Sequence, residues 1–156
     1  MGIKQETLAN GNVLKALIVR YLNEKSEKNY FAVLSCLRDS FIWIPGTVKM
    51  SDEDLEKFKN GKVGDEITTE FDVKFEPDIL QNGITKFLPV FSSPEEMGEY
   101  GNQMSKIQKH FFEAMSFSMA KEETVGIVVN AFSTTFIVPK ELFEAIGQMP
   151  SNIDEE

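Results

Sequence analysis

Hydrophobic residues near the N-terminus recur with the period of an α-helix. Within residues 13–22 the apolar positions share one helical face, and these are Val13, Leu14, Leu17, Ile18, Tyr21 and Leu22. The same spacing predicts a second helix over residues 28–38, which contains Cys36. The continuous apolar run at 41–44, closed by Pro45 and Gly46, predicts a strand that is buried on both faces.

The middle of the chain is acidic and alternating. A capped helix is predicted over residues 51–61 and an edge strand over residues 70–75. The acids at 52–54 resemble the start of a calcium loop, but Lys57 stands where that loop requires glycine. We therefore interpret these acids as the charged first turn of a helix.

The run at 84–97 is predicted to be a strand that turns directly into a helix. Asn82-Gly83 before it is a strong hairpin signal, and Pro89 inside it predicts a bulge or an unpaired side. Ser93, Pro94 and the glutamate at 96 follow the pattern of a capping box. The expected role of Ser93 is therefore a helix cap worth about 1 kcal/mol.

The C-terminal third alternates helix and strand. A helix is predicted over residues 104–119, a buried strand over 125–129, a second strand over 135–138 and a closing helix after Pro139. The strand at 84–91, the helix at 104–119 and the strand at 125–129 then form a right-handed β-α-β unit. The expected fold is α+β, with a mixed parallel and antiparallel sheet of about five strands and helices packed on it.

Length and composition indicate one ordinary globular domain. The chain has 156 residues, 42% of them hydrophobic and 26% charged. We expect a single domain over residues 1–150 and an acidic, disordered tail over residues 151–156.

The net charge of −9 is unevenly distributed. Residues 1–60 carry nine basic and eight acidic side chains, whereas residues 61–100 carry three basic and nine acidic ones. Such a surface repels phosphate groups, so we expect neither nucleic acid nor an anionic membrane as a partner. A single cysteine and the absence of a basic-then-apolar leader predict a cytoplasmic protein.

The residues that could support catalysis are few. The chain contains one cysteine and one histidine that could form a nucleophilic pair, Cys36 and His110, but nothing in their spacing requires the two side chains to meet. The chain has no phosphate-binding glycine motif and no His/Cys cluster with zinc-ligand spacing. We assign no catalytic residue, no metal ligand and no cofactor.

Four segments resemble a known family. The run Phe87-Leu88-Pro89-Val90-Phe91-Ser92-Ser93-Pro94-Glu95-Glu96 is similar to the signature of the bacterial SseB N-terminal domain family, with a strand leading through a serine-containing turn into an acidic helix start. The segments at 41–45, 128–130 and 137–142 resemble the family's first strand and its end. The resemblance spans residues 14–146. Two departures are Ala131, where the family often has proline after asparagine, and the second C-terminal domain that longer members carry.

The resemblance implies a fold rather than an activity, because no catalytic residues of the family can be transferred. The hypothesis that remains is a non-catalytic protein-interaction or regulatory module, acting as a monomer or weak homodimer on a partner with a basic surface. Its interaction surface is expected around Trp43, Ser92, Ser93 and Asn130, because ligands of α/β sheets gather at the carboxyl ends of parallel strands. The alternative is a small-molecule-binding domain or an enzyme that uses Cys36 and His110.

Overall fold

The computed structural model describes residues 5–8, 10–50 and 73–153. Its helices are α1 (Gln5–Leu8), α2 (Asn12–Asn23), α3 (Glu27–Arg38), α4 (Phe111–Ala120) and α5 (Phe143–Gln148), with 3₁₀ segments η1 (Pro94–Gln103) and η2 (Lys140–Leu142). Its strands are β1 (Phe41–Met50), β2 (Val73–Pro77), β3 (Leu80–Asn82), β4 (Thr85–Val90), β5 (Ser105–His110), β6 (Thr124–Val129) and β7 (Phe136–Pro139). The helix predicted over residues 51–61 lies outside the described residues.

The strands form two joined sheets. One is antiparallel, in the order β2-β1-β5, and the other has the order β3-β4-β6-β7. An isolated antiparallel bridge connects them, since the N–H groups of Trp43 and Phe91 each donate to the other residue's carbonyl at 2.8 and 2.9 Å. The α+β class and the mixed strand directions are confirmed. The described strands number seven in two sheets, not about five in one, and one of them forms where a helix is predicted.

That additional strand is β5. The prediction of a helix over residues 104–119 is wrong for its first half, since Ser105–His110 pairs with β1 and only Phe111–Ala120 is helical. The spacing of Met104, Ile107 and Phe111 fits one helical face. However, the backbone groups along one edge of β1 need partners, and pairing with β5 supplies them.

The parallel pair in the β-α-β prediction is confirmed. β4 and β6 run parallel, with Leu88 opposite Ile127 and Val90 opposite Val129. The connection between them contains η1 and β5 as well as α4. The ladder's irregularity lies between Lys86 and Phe87, so the bulge predicted at Pro89 is absent there. The alternative prediction of an unpaired side fits, because β3 pairs with β4 only from Thr85 to Phe87. The right-handedness of this crossover stays a prediction.

β1 differs from its prediction in length and in burial. It continues through Pro45 and Gly46 to Met50, and Ile42 and Ile44 are fully buried while Phe41 is 38% exposed. One face of the strand is therefore buried, not both. Glycine suits position 46 of this strand because it has no side chain. A Cβ added there would lie 2.3 Å from the carbonyl oxygen of Glu76 on β2.

The hydrophobic core lies between the sheets and the helices. α2 contributes Leu14 and Ile18, and α3 contributes Val33, Leu34 and Leu37. These pack with alternate residues of β4, β6 and β7, which are Leu88, Val90, Ile127, Val129, Phe136 and Val138. Apolar residues recur every 3.6 positions in the helices and every 2 positions in the strands, and both sets pack into one cluster.

The last described residues are held against the domain. Asp39, which is 3% exposed, accepts hydrogen bonds from the Ser151 hydroxyl at 2.6 Å and the Asn152 N–H at 2.8 Å. The Arg38 guanidinium donates to the carbonyl of Met149 at 2.9 Å. Residues 151–153, which the sequence assigns to a disordered tail, are therefore anchored, and residues 154–156 lie outside the described part. No helix within that part combines the length and apolar character needed to cross a bilayer.

Candidate functional site

The carboxyl ends of the parallel strands are joined by a buried polar contact. Asn130 follows β6 and is fully buried, and Ser92 lies two residues after β4 with 2% exposure. The Asn130 Oδ1 accepts the backbone N–H of Ser92 at 2.9 Å, and its Nδ2 donates to the Ser92 hydroxyl at 3.0 Å. Two of the four residues expected at the interaction surface are thus in direct contact, but neither is exposed.

Asn130 also has an unusual backbone conformation. Its φ of 51° makes it the one non-glycine residue with positive φ among those the structure describes. Asparagine tolerates this left-handed conformation better than other side chains do, since its amide bonds locally. The turn after β6 is thereby directed across the strand ends, which places Phe132 and Ser133 beside η1.

The other two expected residues lie close by. Trp43 is half-buried and is joined through its backbone to Phe91, the residue before Ser92. Ser93 precedes η1, but its side chain makes no capping hydrogen bond, so the capping-box prediction is wrong. The N–H of Glu96 reaches the Ser93 carbonyl instead, at 3.2 Å.

The Glu96 side chain binds two side chains from distant segments, whereas a capping box would place it on a backbone N–H at the start of η1. It is 11% exposed and accepts from the Lys15 ammonium at 2.5 Å and from the Ser133 hydroxyl. The hydrogen bond from Lys15, followed by that from Ser133, lowers the pKa of this carboxyl below its usual 4.5. Glu96 is therefore ionised at neutral pH, and it links α2, η1 and the turn after β6.

Helix α2 also contacts the strand ends through its backbone. Gly11, with φ +79°, is its N-terminal cap, and a Cβ added there would lie 2.2 Å from the carbonyl oxygen of Ser92. Only glycine allows both the left-handed conformation and this close approach. Together with Lys15, this contact makes α2 a rigid support for the segment after β4.

Three aromatic rings lie at the same end of the sheet. The Phe132 ring stacks on buried Phe91 with centroids 5.9 Å apart and meets Tyr100 edge-on at 5.2 Å. Tyr100 donates its hydroxyl to the carboxylate of Asp78, and burial followed by this bond raises the pKa of Tyr100 far above its usual 10. Phe132 is 55% exposed, so one large apolar face points to solvent in the middle of an acidic region.

Phe132 is shared by two cavities. On one side is an open cavity of about 550 Å³, whose lining includes Glu95, Glu96, Glu99, Tyr100 and Ser133. On the other is an apolar cleft of about 250 Å³ on the outer face of the second sheet, lined in part by Leu80, Phe87, Val128 and Ile137. We call the two together, with Phe132 between them, the strand-end surface.

Phe132 and Tyr100 are site residues that were not predicted from the sequence. A signal for Phe132 was present, because an aromatic residue in a polar turn directly after a buried strand has little reason to be buried. Local sequence offers no such signal for Tyr100, because its contact with Asp78 joins residues that are 22 positions apart.

Cys36 and His110 each have another partner. The Cys36 Sγ lies 3.7 Å from the Ser40 hydroxyl, and burial raises the pKa of this thiol. His110 caps α4, its Nδ1 accepting the N–H of Phe112 at 3.1 Å, and burial followed by the nearby Arg38 charge lowers its pKa. A thiol with a raised pKa is a poor nucleophile, and a His nitrogen that accepts from the backbone is already engaged.

Two titratable side chains beside Phe132 have shifted pKa values. Glu96 is held ionised and Tyr100 is held protonated, so neither exchanges protons near neutral pH. Across the described ranges, no group of three or more His, Cys, Asp or Glu side chains is arranged to hold a metal ion. What the strand-end surface presents is fixed negative charge beside an exposed aromatic ring.

These features define a small α+β domain with two joined sheets and an acidic, partly apolar surface at the ends of its parallel strands. The profile of the family described as SseB protein N-terminal domain matches residues 14–144, and the chain belongs to that family. The expected resemblance is therefore confirmed over most of its length. Comparisons with curated proteins and with solved structures found no match.

Proposed function

We propose that this SseB-like domain is a non-catalytic interaction module that binds a basic, partly apolar segment of another protein at the strand-end surface. The observation that carries the proposal is the position of Phe132. This side chain is 55% exposed and stands between a cavity lined by carboxylates and a cleft lined by apolar residues. A partner segment with an apolar residue next to Lys or Arg complements both.

The apolar part of the binding energy would come from covering Phe132 and the cleft beside it. Ile137 on β7 is 46% exposed and lines the same cleft, so the apolar area extends across the outer sheet face. Large aromatic side chains that become buried at the centre of an interface are frequent hot spots. Because Phe132 already stacks on Phe91 and meets Tyr100 edge-on, little side-chain entropy is lost when a partner covers it.

The charged part would select the partner. Glu95 and Glu99 are exposed at the cavity, beside the ionised Glu96. A basic segment is attracted to this surface at long range, which raises the association rate and makes it depend on salt. Nucleic acids are repelled by the same charge, so a polyanionic partner is excluded from the proposal.

Ser92 and Asn130 would act as positioning residues. Both are buried, so neither touches a partner directly. Their contact holds the turn that carries Phe132 against the segment that carries the glutamates. Trp43 supports the same region from β1 through its two backbone bonds to Phe91.

The proposal is tested by selecting binders from a library of random 12-residue peptides displayed on phage. We expect the selected peptides to combine Lys or Arg with an aromatic or aliphatic residue. Fluorescence anisotropy should show their affinity falling with added salt, and Phe132→Ser should weaken it at least about tenfold. Reversal of charge in Glu99→Lys should lower the association rate more than it raises the dissociation rate.

Ile84→Ser is the matched control, because Ile84 is 98% exposed at the β3–β4 turn and lies outside both cavities. This variant should bind the peptides as the natural sequence does. Selected peptides that are acidic, or whose affinity is unchanged in Phe132→Ser, would contradict the proposal.

A further inference from the structure

A second apolar depression lies on another part of the molecule, where α3 meets α5 beside the end of α2. It is a groove of about 570 Å³. Its lining residues are Tyr21, Lys25, Ser26, Glu27, Tyr30, Phe31, Leu34, Leu142, Ala145 and Met149. None of these residues belongs to the strand-end surface.

The groove has a projecting side chain on its own wall. Phe31 on α3 is 59% exposed, whereas Leu34 one turn further along is 4% exposed. A phenylalanine exposed to this degree on a helix leaves a large apolar area in contact with water. The same surface therefore offers both an apolar projection and an apolar depression.

The charges at the groove are balanced. Lys25 and Glu27 line it from the corner between α2 and α3, and residues 1–60 carry a net charge of +1. The two charged side chains that line the groove therefore cause no net repulsion between two copies at this place.

We propose that the groove is occupied by a second copy of this chain in a two-fold symmetric, weak homodimer. In such an interface the same surface patch must be complementary to itself. Phe31 of each copy then enters the groove of the other, and Lys25 of each copy faces Glu27 of the other. A partner with one dominant charge would leave Lys25 or Glu27 without an opposite charge, whereas a second copy supplies both.

Sedimentation velocity over about 10 μM to 1 mM protein is the first test. The natural sequence should show a reversible monomer–dimer equilibrium with a Kd on the order of 100 μM, as expected for a small interface. Phe31→Glu should raise that Kd at least about 30-fold. Ile84→Glu, which places the same charge on another exposed apolar position, should leave it unchanged.

A charge-reversal pair distinguishes two-fold pairing from other arrangements. Lys25→Glu and Glu27→Lys each place like charges opposite each other, so each variant alone should remain monomeric. An equimolar mixture of the two restores an opposite charge at both contacts and should therefore form dimers. Far-UV circular dichroism and melting temperature confirm that both variants are folded.

Three results would overturn the inference. They are a natural sequence that stays monomeric at 1 mM, a Phe31→Glu variant that dimerises like the natural one, and a mixture of the two charge variants that stays monomeric.

Discussion

The side-chain amide of Asn130 bonds both the backbone N–H and the hydroxyl of Ser92, and so links the segments that follow β6 and β4. Both residues are almost completely shielded from solvent. Each polar group in this contact therefore depends on the other residue, since water is excluded from both. Asparagine suits the position because it supplies an acceptor and a donor and also tolerates φ of 51°.

Asn130→Ala is expected to destabilise the protein by about 2–5 kcal/mol. The substitution leaves the buried Ser92 N–H without a partner, at about 1–3 kcal/mol, and forces alanine into a left-handed conformation, at about 1–2 kcal/mol. Asn130→Gly removes the same bonds but relieves the backbone strain, so its loss should be smaller by about 1 kcal/mol. Urea unfolding measures both; equal losses for the two variants would show that the positive φ contributes nothing.

Ser26→Ala and Ser93→Ala are expected to differ, although both serines precede a helical segment. The Ser26 hydroxyl accepts the N–H of Asn29 at 3.1 Å, whereas the Ser93 side chain makes no cap. Loss of the cap should cost about 1 kcal/mol at Ser26, and Ser93→Ala should stay within about 0.5 kcal/mol of the natural sequence. Thermal unfolding of the two variants tests this; a larger loss at Ser93 would restore the capping interpretation.

Elements that local patterns define were predictable from the sequence. Helices α2 and α3 follow from apolar spacing, and the β3–β4 hairpin follows from Asn82-Gly83. The meeting of Ser92 and Asn130 was also accessible, because the ends of parallel neighbours lie at one edge of a sheet.

The failures concern contacts that join distant segments. β5 forms because β1 needs a partner, and that need is invisible in the local sequence of Ser105–His110. The partners of Glu96 lie 81 and 37 positions away, at Lys15 and Ser133. Phe132 acquires its place only when the turn after β6 is folded against η1. Local spacing carries no information about such distances.

Asp39→Ala is expected to release the C-terminal segment and to cost about 2–4 kcal/mol. The buried carboxylate accepts from the Ser151 hydroxyl and the Asn152 N–H, and removing it leaves these donors without their acceptor. Hydrogen exchange should show faster exchange at Asn152 and Ile153 than in the natural sequence. Ser151→Ala removes the hydroxyl's bond to Asp39 and the bond that this hydroxyl accepts from the Ile153 N–H. It leaves the acceptor of the Asn152 N–H in place, so a smaller change than in Asp39→Ala is expected at Asn152. Unchanged exchange in Asp39→Ala would mean that Asp39 does not anchor this segment.

The stability of the fold is expected to fall as the pH drops below about 7, because of His110. Its pKa is lowered from 6.5 in the folded state, first by burial and then by Arg38, with Asp39 and Glu113 acting in the opposite direction. Between the folded and the unfolded pKa, the unfolded chain binds more protons. The free energy of unfolding therefore rises with pH across that window and declines toward acid.

His110→Asn isolates this contribution. Asparagine can still accept the helix-capping bond from Phe112, but it does not titrate. His110 is the single histidine of the chain, and the carboxyl of Glu96 titrates below its usual 4.5. Urea unfolding between pH 8 and about 5.5 should therefore give a declining stability for the natural sequence and a flatter profile for His110→Asn. Parallel profiles would show that His110 keeps its unfolded pKa in the folded protein, and the slope would then need another titrating group.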